Sequence, residues 1–315
     1  MIYQPTLFFK SGHFNTIFRT FFTFPKVEYI RKRINTPDDD FIDLDFIYTG
    51  SKKLIIIFHG LEGSSGSKYV LSNAMYFKKY QYDVCAANLR GCSGEPNKLY
   101  SSYHSGKTED VDIIINAVRD DYDEIYLLGY SLGGNLVTKY GGEKASTINN
   151  KIKKIIAVSV PADLMESALE ISKPKNYLYN QLFLKSLKNK VKQKIETFPE
   201  CGITQQDLKK VSTLKQFDDI YTSKAHGFID AEDYWKKNSC KQFIPGIKIP
   251  TLMLNSMDDP FLGEKCYPFK EAEENKYFTL ETPRYGGHVG FNISFDAGKN
   301  NWLEKRVILF IEKNK

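Results

Sequence analysis

The sequence has no apolar run long enough to cross a membrane, few cysteines and no repeated segment. Residues 14–24 are rich in aromatics, but Lys10 and Arg19 interrupt this region, so we expect neither a transmembrane helix nor a secretory signal. The five cysteines form no CxxC pair and no zinc-like spacing with histidine, and their odd number favours reduced thiols. We therefore expect no cofactor, no metal and a cytoplasmic location.

Charge of one sign is not concentrated in any part of the sequence. The net charge is +6, from 44 lysines and arginines against 38 acidic residues, and the lysines are scattered. This distribution is typical of a solvated basic surface rather than of a nucleic-acid-binding face. With 315 residues and 42% hydrophobic content, the chain can bury a sizeable core. The composition predicts a globular protein that does not bind nucleic acid.

Apolar strand-like runs alternate with helical patterns along the chain. The helical segment 109–119 begins with acidic residues and has apolar residues at helical spacing. Strands that alternate with helices predict an α/β fold with a mostly parallel central sheet flanked by helices on both faces. The predicted strands are 41–48, 54–58, 83–88, 125–128, 155–160, 249–254 and 276–280.

A serine motif directly follows the predicted strand 125–128. Residues 124–136 read EIYLLGYSLGGNL, an apolar run that breaks at a glycine-rich turn and restarts as a helix. A GxSxG motif in this context is typical of a nucleophile elbow, where the flanking glycines are needed because no Cβ fits. The turn places Ser131 at a helix N-terminus, where free N–H groups favour a developing oxyanion. We predict that Ser131 is a catalytic nucleophile.

A serine nucleophile needs a general base and a carboxylate that orients the base. His288 lies in a glycine-flanked loop after the last predicted strand, and the order serine, acid, histidine is that of α/β-hydrolases. Two aspartates, Asp258 and Asp259, follow the apolar run 247–254 and compete for the role of the acid. We favour Asp258, because Asp259 precedes a proline that restricts its backbone and is suited to capping the turn.

The oxyanion hole needs two backbone donors. We predict the N–H groups of Leu132, after the nucleophile, and of Leu61, in the glycine-rich loop after strand 54–58. The same glycines would suit a phosphate loop, but neither GxGxxG nor GK[ST] spacing is present. His59 in this loop is expected to have a structural role.

These motifs, together with others along the chain, resemble the YheT-like family of α/β-hydrolases, bacterial esterases with eukaryotic lipid-esterase relatives. The resemblance covers almost the whole sequence and implies an α/β-hydrolase fold, esterase activity and a triad at Ser131, Asp258 and His288. GHFNT replaces the family's usual GHLQT, which affects no triad position. The matching segments include GHFNTIF (12–18), FHGLEGSS (58–65), GYSLGGN (129–135), LNSMDDPF (254–261) and GGHVGF (286–291).

The long stretch 165–245 is rich in lysine and helix-like patterns, and an unfolded loop of this length is unusual inside a compact domain. We predict that it forms a helical cap over the active site, inserted between two parts of the hydrolase core, 1–164 with an N-terminal extension and 246–315. The aromatic region 14–24 is expected to pack on the core, with peripheral membrane contact as the alternative.

The leading functional prediction is hydrolysis of a small-molecule carboxylic ester, with a short- to medium-chain or lipid-like acyl group, through an acyl-enzyme. The alternatives are an acyltransferase that uses the same triad and a non-catalytic binding protein with a hydrolase fold. The loop after strand 83–88 contains an arginine–glutamate pair, Arg90 and Glu95, and is followed by His104. We expect these groups to stabilise loops rather than to contact substrate.

Overall fold

The computed structural model describes residues 1–21, 27–296 and 300–313 of the chain. These residues form one eight-stranded sheet with the strand order β1-β2-β4-β3-β5-β6-β7-β8. β2 runs antiparallel to both of its neighbours, and all the other adjacent pairs are parallel. The strands are β1 (Ile30–Asn35), β2 (Phe41–Ile47), β3 (Lys53–Phe58), β4 (Asp83–Asn88), β5 (Glu124–Tyr130), β6 (Ile152–Val158), β7 (Thr251–Leu254) and β8 (Phe278–Glu281).

Helices connect the strands and cover both faces of the sheet, which confirms the predicted fold class. Leu54 and Ile56 of β3 pack in one cluster with the helices Thr108–Val118 and Leu132–Lys144, whereas Ile55 and Ile57 pack on the opposite face with the helices Lys68–Lys79 and Trp302–Glu312. The helices are α1 (Gly12–Phe18), α2 (Lys68–Lys79), α3 (Thr108–Val118), α4 (Leu132–Lys144), α5 (Leu164–Ile171), α6 (Tyr177–Thr197), α7 (Gln205–Lys210), α8 (Leu214–Phe217), α9 (Ser223–His226), α10 (Ala231–Asn238), α11 (Phe269–Glu274) and α12 (Trp302–Glu312).

The edge strand β1 was not predicted from the sequence. It is mostly exposed and has three consecutive basic residues, so it lacks the apolar pattern of a strand. Its arginines instead pair with buried carboxylates of β2: Arg33 contacts Asp43 and Arg31 contacts Asp45, each through two hydrogen bonds. Bidentate ion pairs of this kind fix the register of a charged edge strand.

The loop after β4 is held by an ion-pair network around Arg90. The Arg90 guanidinium donates two hydrogen bonds to Asp110, at 2.9 and 2.7 Å, and further bonds to Asp38 and Asp40. The expected structural role of Arg90 is therefore confirmed. The expected pairing with Glu95 is wrong, because Glu95 binds Arg33.

The N-terminal segment lies against the core with part of its aromatic side chains. Phe9 and Phe18 are buried, whereas Phe8 is exposed. The end of the predicted aromatic region, residues 22–24, is outside the described residues. Among the helices of the described ranges, none is both long enough and apolar enough to cross a membrane.

Between β6 and β7 the chain forms helices without any strand, from α5 to α10 and a final 3₁₀ segment, Cys240–Gly246. Side chains of these helices share a hydrophobic cluster of their own that includes Leu187, Phe217 and Trp235. Cys240 and Ile244 fall within the predicted insertion 165–245 but pack in the core of the sheet. The division of the chain into a cap and two core parts remains a prediction.

A buried ion pair connects this helical segment to the loop after β3. The Glu62 carboxylate accepts hydrogen bonds from Lys190 Nζ (2.7 Å) and Ser186 Oγ (2.9 Å) of α6, and from Tyr103 Oη (2.7 Å). The side chains of Glu62 and Lys190 are only 9% and 14% exposed. Burial opposes ionisation of Glu62, but the charge of Lys190 and these hydrogen bonds lower its pKa.

We expect Lys190→Met to lower the free energy of unfolding by about 3 to 5 kcal/mol, because it leaves the buried Glu62 carboxylate without its cation. Chemical denaturation at neutral pH measures this loss. Lys192→Met, at an exposed position of the same helix, is the matched control and should change stability by no more than about 0.5 kcal/mol. Equal effects of the two substitutions would show that the ion pair contributes little.

Candidate active site

Ser131 lies on a sharp turn between β5 and α4, as predicted for a nucleophile elbow. Its backbone has φ +51° and ψ −117°, a conformation that non-glycine residues rarely adopt. The flanking glycines are required by close backbone contacts. A Cβ on Gly129 would lie 2.2 Å from the Gly133 carbonyl oxygen, and one on Gly133 would lie 2.3 Å from the Phe58 carbonyl oxygen. The turn therefore exposes Ser131 at the carboxyl edge of the sheet.

His288 lies in the loop after β8, at the same edge of the sheet. Its backbone N–H donates to Thr16 Oγ1 of α1 at 2.8 Å. The adjacent Val289 N–H donates to Ser159 Oγ at 2.9 Å, and Ser256 Oγ donates to the Gly287 carbonyl at 2.9 Å. Side chains from three distant parts of the chain thus fix the backbone on both sides of the histidine.

The carboxylate that contacts the histidine ring is Asp259. His288 Nδ1 lies 2.9 Å from Asp259 Oδ2 and 3.1 Å from Oδ1, and the aspartate side chain is fully buried. Asp259 Oδ1 also accepts the Phe261 N–H at 2.9 Å. One carboxylate therefore both caps the turn, as expected, and orients the imidazole.

The sequence-based choice of Asp258 as the partner of His288 is wrong. Asp258 Oδ1 instead accepts the backbone N–H of Gly287 at 2.9 Å, one residue before the histidine. Partial burial raises the pKa of Asp258, against the effect of this hydrogen bond. Both aspartates support the histidine loop, but only Asp259 reaches the ring, because the turn directs successive side chains to different sides.

The loop after β3 passes directly over the elbow. A Cβ on Gly60 would lie 3.2 Å from Ser131 Cβ. Within the described ranges, neither the Leu61 N–H nor the Leu132 N–H has a hydrogen-bond partner, and both residues line the same cavity as Ser131. Leu132 is the first residue of α4, where a helix leaves its N–H groups unpaired. The two predicted donors are therefore adjacent to the serine.

His59 shapes this loop and does not contact the cavity. Its Nδ1 lies 2.7 Å from the Gly60 carbonyl oxygen, and its Nε2 accepts the Leu89 N–H at 3.1 Å. Burial lowers the pKa of His59 to about 4. Its predicted structural role is confirmed, because both ring nitrogens are bound to the backbone and the ring is neutral at pH 7.

Ser131 and His288 line one cavity of about 120 Å³ that lies between the sheet edge and the helical segment. Much of its wall is apolar, and Phe261 packs on the His288 ring with centroids 4.5 Å apart. Apolar lining with a few polar groups is typical of a site for a small organic ligand. The apolar lining includes Leu164, Ile171, Phe183, Leu187, Val191, Leu214 and Phe217.

Polar side chains form another part of the cavity wall and include two half-buried titratable groups, His104 and Asp218. His104 packs against His226 with ring centroids 4.5 Å apart, and its Nδ1 accepts the Gly106 N–H. Burial lowers the pKa of His104 well below its usual value. His104 therefore supports its own loop, as expected, but it also faces the cavity, which was not expected.

Asp218 was not identified from the sequence. It begins a π-helical turn, Asp218–Thr222, a feature that is frequent at functional sites. Its carboxylate accepts hydrogen bonds from Trp235 Nε1 (2.8 Å) and Thr222 Oγ1 (2.6 Å). Burial nevertheless raises its pKa to about 7. No sequence motif marks this residue, because its environment is created by the packing of several helices.

The pKa of Asp218 predicts a pH-dependent effect on stability. Because the folded pKa of about 7 is above the ordinary value of 3.8, the protonated carboxyl contributes stability that is fully present below about pH 4 and is lost as pH rises through 7. Asp218→Asn removes this pH-dependent contribution to stability. The melting temperature of the variant minus that of the wild type should therefore increase between pH 5 and pH 8. A difference in melting temperature that is independent of pH would contradict the assignment.

The described residues contain no group of three or more histidine, cysteine, aspartate or glutamate side chains placed to hold a metal ion. All five cysteines are free thiols, and Cys92 is the one that approaches the Glu62–Lys190 pair, with its Sγ 3.2 Å from Lys190 Nζ. Burial raises the pKa of Cys92 to about 11.

Known proteins resemble this chain over most of its length. A family model described as the alpha/beta hydrolase fold matches residues 53–281. The chain is 30% identical over 283 residues to "Putative esterase YheT" of Escherichia coli (strain K12), which covers 88% of this chain and 82% of that protein. It is 32% identical over 286 residues to "Monoacylglycerol lipase" of Saccharomyces cerevisiae, with 88% of this chain and 62% of that protein covered.

A solved structure, the esterase Pf2001 of Pyrococcus furiosus, matches with a TM-score of 0.60 at 17% identity, covering 99% of this chain and 96% of that one. At this identity the similarity shows the fold alone. The family model extends the conclusion to the sequence, because its match, 53–281, includes Ser131 and Asp259. The YheT relative at 30% identity supports the same family. The chain belongs to the α/β-hydrolase family, in its esterase and lipase group with the YheT-like proteins.

Proposed function

We propose that the protein hydrolyses carboxylic esters through a Ser131–His288–Asp259 triad. The observation that carries this proposal is that a serine on a strained elbow shares an apolar cavity with a histidine whose Nδ1 is bound by a buried carboxylate. The esterase and lipase names of the relatives support the same reaction class. The substrate is then a small-molecule ester, and the expected cytoplasmic location remains a prediction.

In the first half-reaction, Asp259 holds the Nδ1 proton of His288, which leaves Nε2 free to act as the base. Nε2 takes the proton of Ser131 Oγ as the oxygen attacks the carbonyl carbon of the ester. The N–H groups of Leu61 and Leu132 stabilise the negative oxygen of the tetrahedral intermediate. The C–O bond to the alcohol then breaks, and His288 returns the proton to the departing alcohol.

In the second half-reaction, water replaces the alcohol. His288 removes a proton from water, whose oxygen attacks the acyl-enzyme carbonyl and forms a second tetrahedral intermediate. Collapse of this intermediate releases the carboxylic acid, and the histidine returns the proton to Ser131. The apolar residues around Phe183 and Phe261 favour an aliphatic acyl group of short to medium length or the chain of a lipid-like ester.

Ser131→Ala should reduce kcat for p-nitrophenyl esters on the order of a millionfold, because the nucleophile is lost. A fluorophosphonate probe should label the wild type and not this variant. Circular dichroism should show that the fold is retained. Ser172→Ala, a helix-end serine bonded to the Ala168 carbonyl, is the matched control and should keep wild-type turnover. Turnover by Ser131→Ala at the wild-type rate, or no turnover by the wild type on any ester of a chain-length series, would refute the proposal.

The two aspartates should differ in their effect on catalysis. Asp259→Asn should lower kcat roughly ten-thousandfold, because an amide at this position favours the wrong histidine tautomer. Asp258→Asn should cause a much smaller loss, because the amide oxygen still accepts the Gly287 N–H. Steady-state kinetics of the two variants, with melting temperatures to monitor folding, tests this order. A larger kcat loss in Asp258→Asn at equal stability would assign the orienting role to Asp258.

A further inference from the structure

Large apolar side chains are exposed on two neighbouring segments beside the candidate site. Three are in the N-terminal segment and three are in the first two turns of α6, and between 38% and 77% of each residue is exposed. Single exposed apolar residues are common on soluble proteins, but a group of this size marks an interaction surface. We call this group the apolar face, defined by Leu7, Phe8, Ile17, Tyr177, Leu178 and Leu182.

The two segments of the apolar face are in contact. The His13 ring of α1 is nearly parallel to the Tyr179 ring of α6, with centroids 5.8 Å apart, and His13 Nδ1 lies 3.4 Å from Tyr179 Oη. Phe8 packs on α1 through a ring contact with Phe14, and it also contacts the ring of Phe295. The two segments that carry the exposed residues therefore adjoin each other at the His13–Tyr179 contact.

This surface adjoins the candidate active site. Thr16 of α1 accepts the backbone N–H of His288, and Tyr179 packs against Phe261, with ring centroids 4.7 Å apart. Phe261 in turn packs on the His288 ring and lines the cavity. One layer of side chains thus separates the apolar face from the cavity.

Basic residues accompany the apolar face. Lys10 is exposed at the end of the 3₁₀ segment that contains Leu7 and Phe8, and Lys185 is exposed on α6. Leu178, Leu182 and Lys185 follow each other at spacings of four and three, so they lie on one side of the helix. The whole chain carries a net charge of +6. Apolar side chains with neighbouring lysines are typical of surfaces that lie in the interface of an anionic bilayer.

We propose that the apolar face docks on an anionic phospholipid surface and that this docking brings the cavity next to esters dissolved in the membrane. The delivery of esters rests on the proposed function, whereas the docking itself does not. Exposed apolar side chains enter the lipid and the lysines contact its phosphates, so both the removal of apolar groups and high salt should weaken binding. A protein partner, such as a second copy of this chain, is the competing occupant.

The experiment measures co-sedimentation of the full chain with phosphatidylcholine vesicles, with and without phosphatidylglycerol. The test variant is Phe8→Asp/Leu178→Asp/Leu182→Asp. Its matched control is Tyr80→Asp, which changes an exposed aromatic side chain at the end of α2 on the opposite edge of the sheet. Wild type and control should bind the anionic vesicles, and the triple variant should bind on the order of tenfold more weakly or worse.

Enzyme assays separate docking from catalysis. The triple variant should hydrolyse a water-soluble p-nitrophenyl ester at the wild-type rate but should turn over a long-chain ester in anionic vesicles more slowly. Failure of the wild type to bind either vesicle, or equal binding by the triple variant, would overturn the docking proposal. So would a wild-type dimer in light scattering that the triple variant abolishes. Vesicle binding without hydrolysis of any ester would instead overturn only the proposed function.

Discussion

The tight backbone turn at Ser131 is the constraint on which the site depends. β5 ends, reverses and continues as α4 across one residue, and this brings the first turn of α4 against the end of β3. A residue held at positive φ costs on the order of 1 to 3 kcal/mol. Burial of β5 and α4 on the sheet offsets this cost, because almost all residues of both elements are removed from water. The sheet core, and not the loop itself, therefore holds the serine in place.

His288 is positioned by hydrogen bonds from distant parts of the chain and not by a tight turn. Its loop contains no regular structure, and its backbone is fixed by single hydrogen bonds from α1, from the end of β6 and from the turn after β7. The ring itself is oriented by the Asp259 carboxylate at Nδ1 and by packing of Phe261. Thr16 of α1 therefore supports the site, since it accepts the His288 backbone N–H across 272 positions of sequence. A substitution at Thr16 would therefore act on His288 from outside the cavity.

Ser131 is held by a local turn and His288 by distant hydrogen bonds, and this difference explains which features could be predicted from the sequence. The strands of the sheet centre were found because burial on both faces requires continuous apolar runs, as in LIIIF of β3. The elbow was found because its glycines are needed locally. β1 was missed because its partners are the carboxylates of β2 and not the core. Asp258 was wrongly preferred to Asp259, because local turn geometry does not determine which of two adjacent carboxylates faces a histidine almost thirty residues away.

A polar residue at the cavity, Glu62, connects the loop after β3 to the helical segment. Glu62 follows the proposed oxyanion donor Leu61, adopts a positive φ and is bonded to α6 through Lys190 and Ser186. A buried carboxylate needs such partners, because an unpaired charge in this environment is strongly unfavourable. The position of α6 and the conformation of the loop after β3 are therefore linked through the Glu62 side chain. Since α6 also contributes Phe183 and Leu187 to the cavity wall, the same helix lines the proposed acyl site and holds the loop of the proposed oxyanion donor.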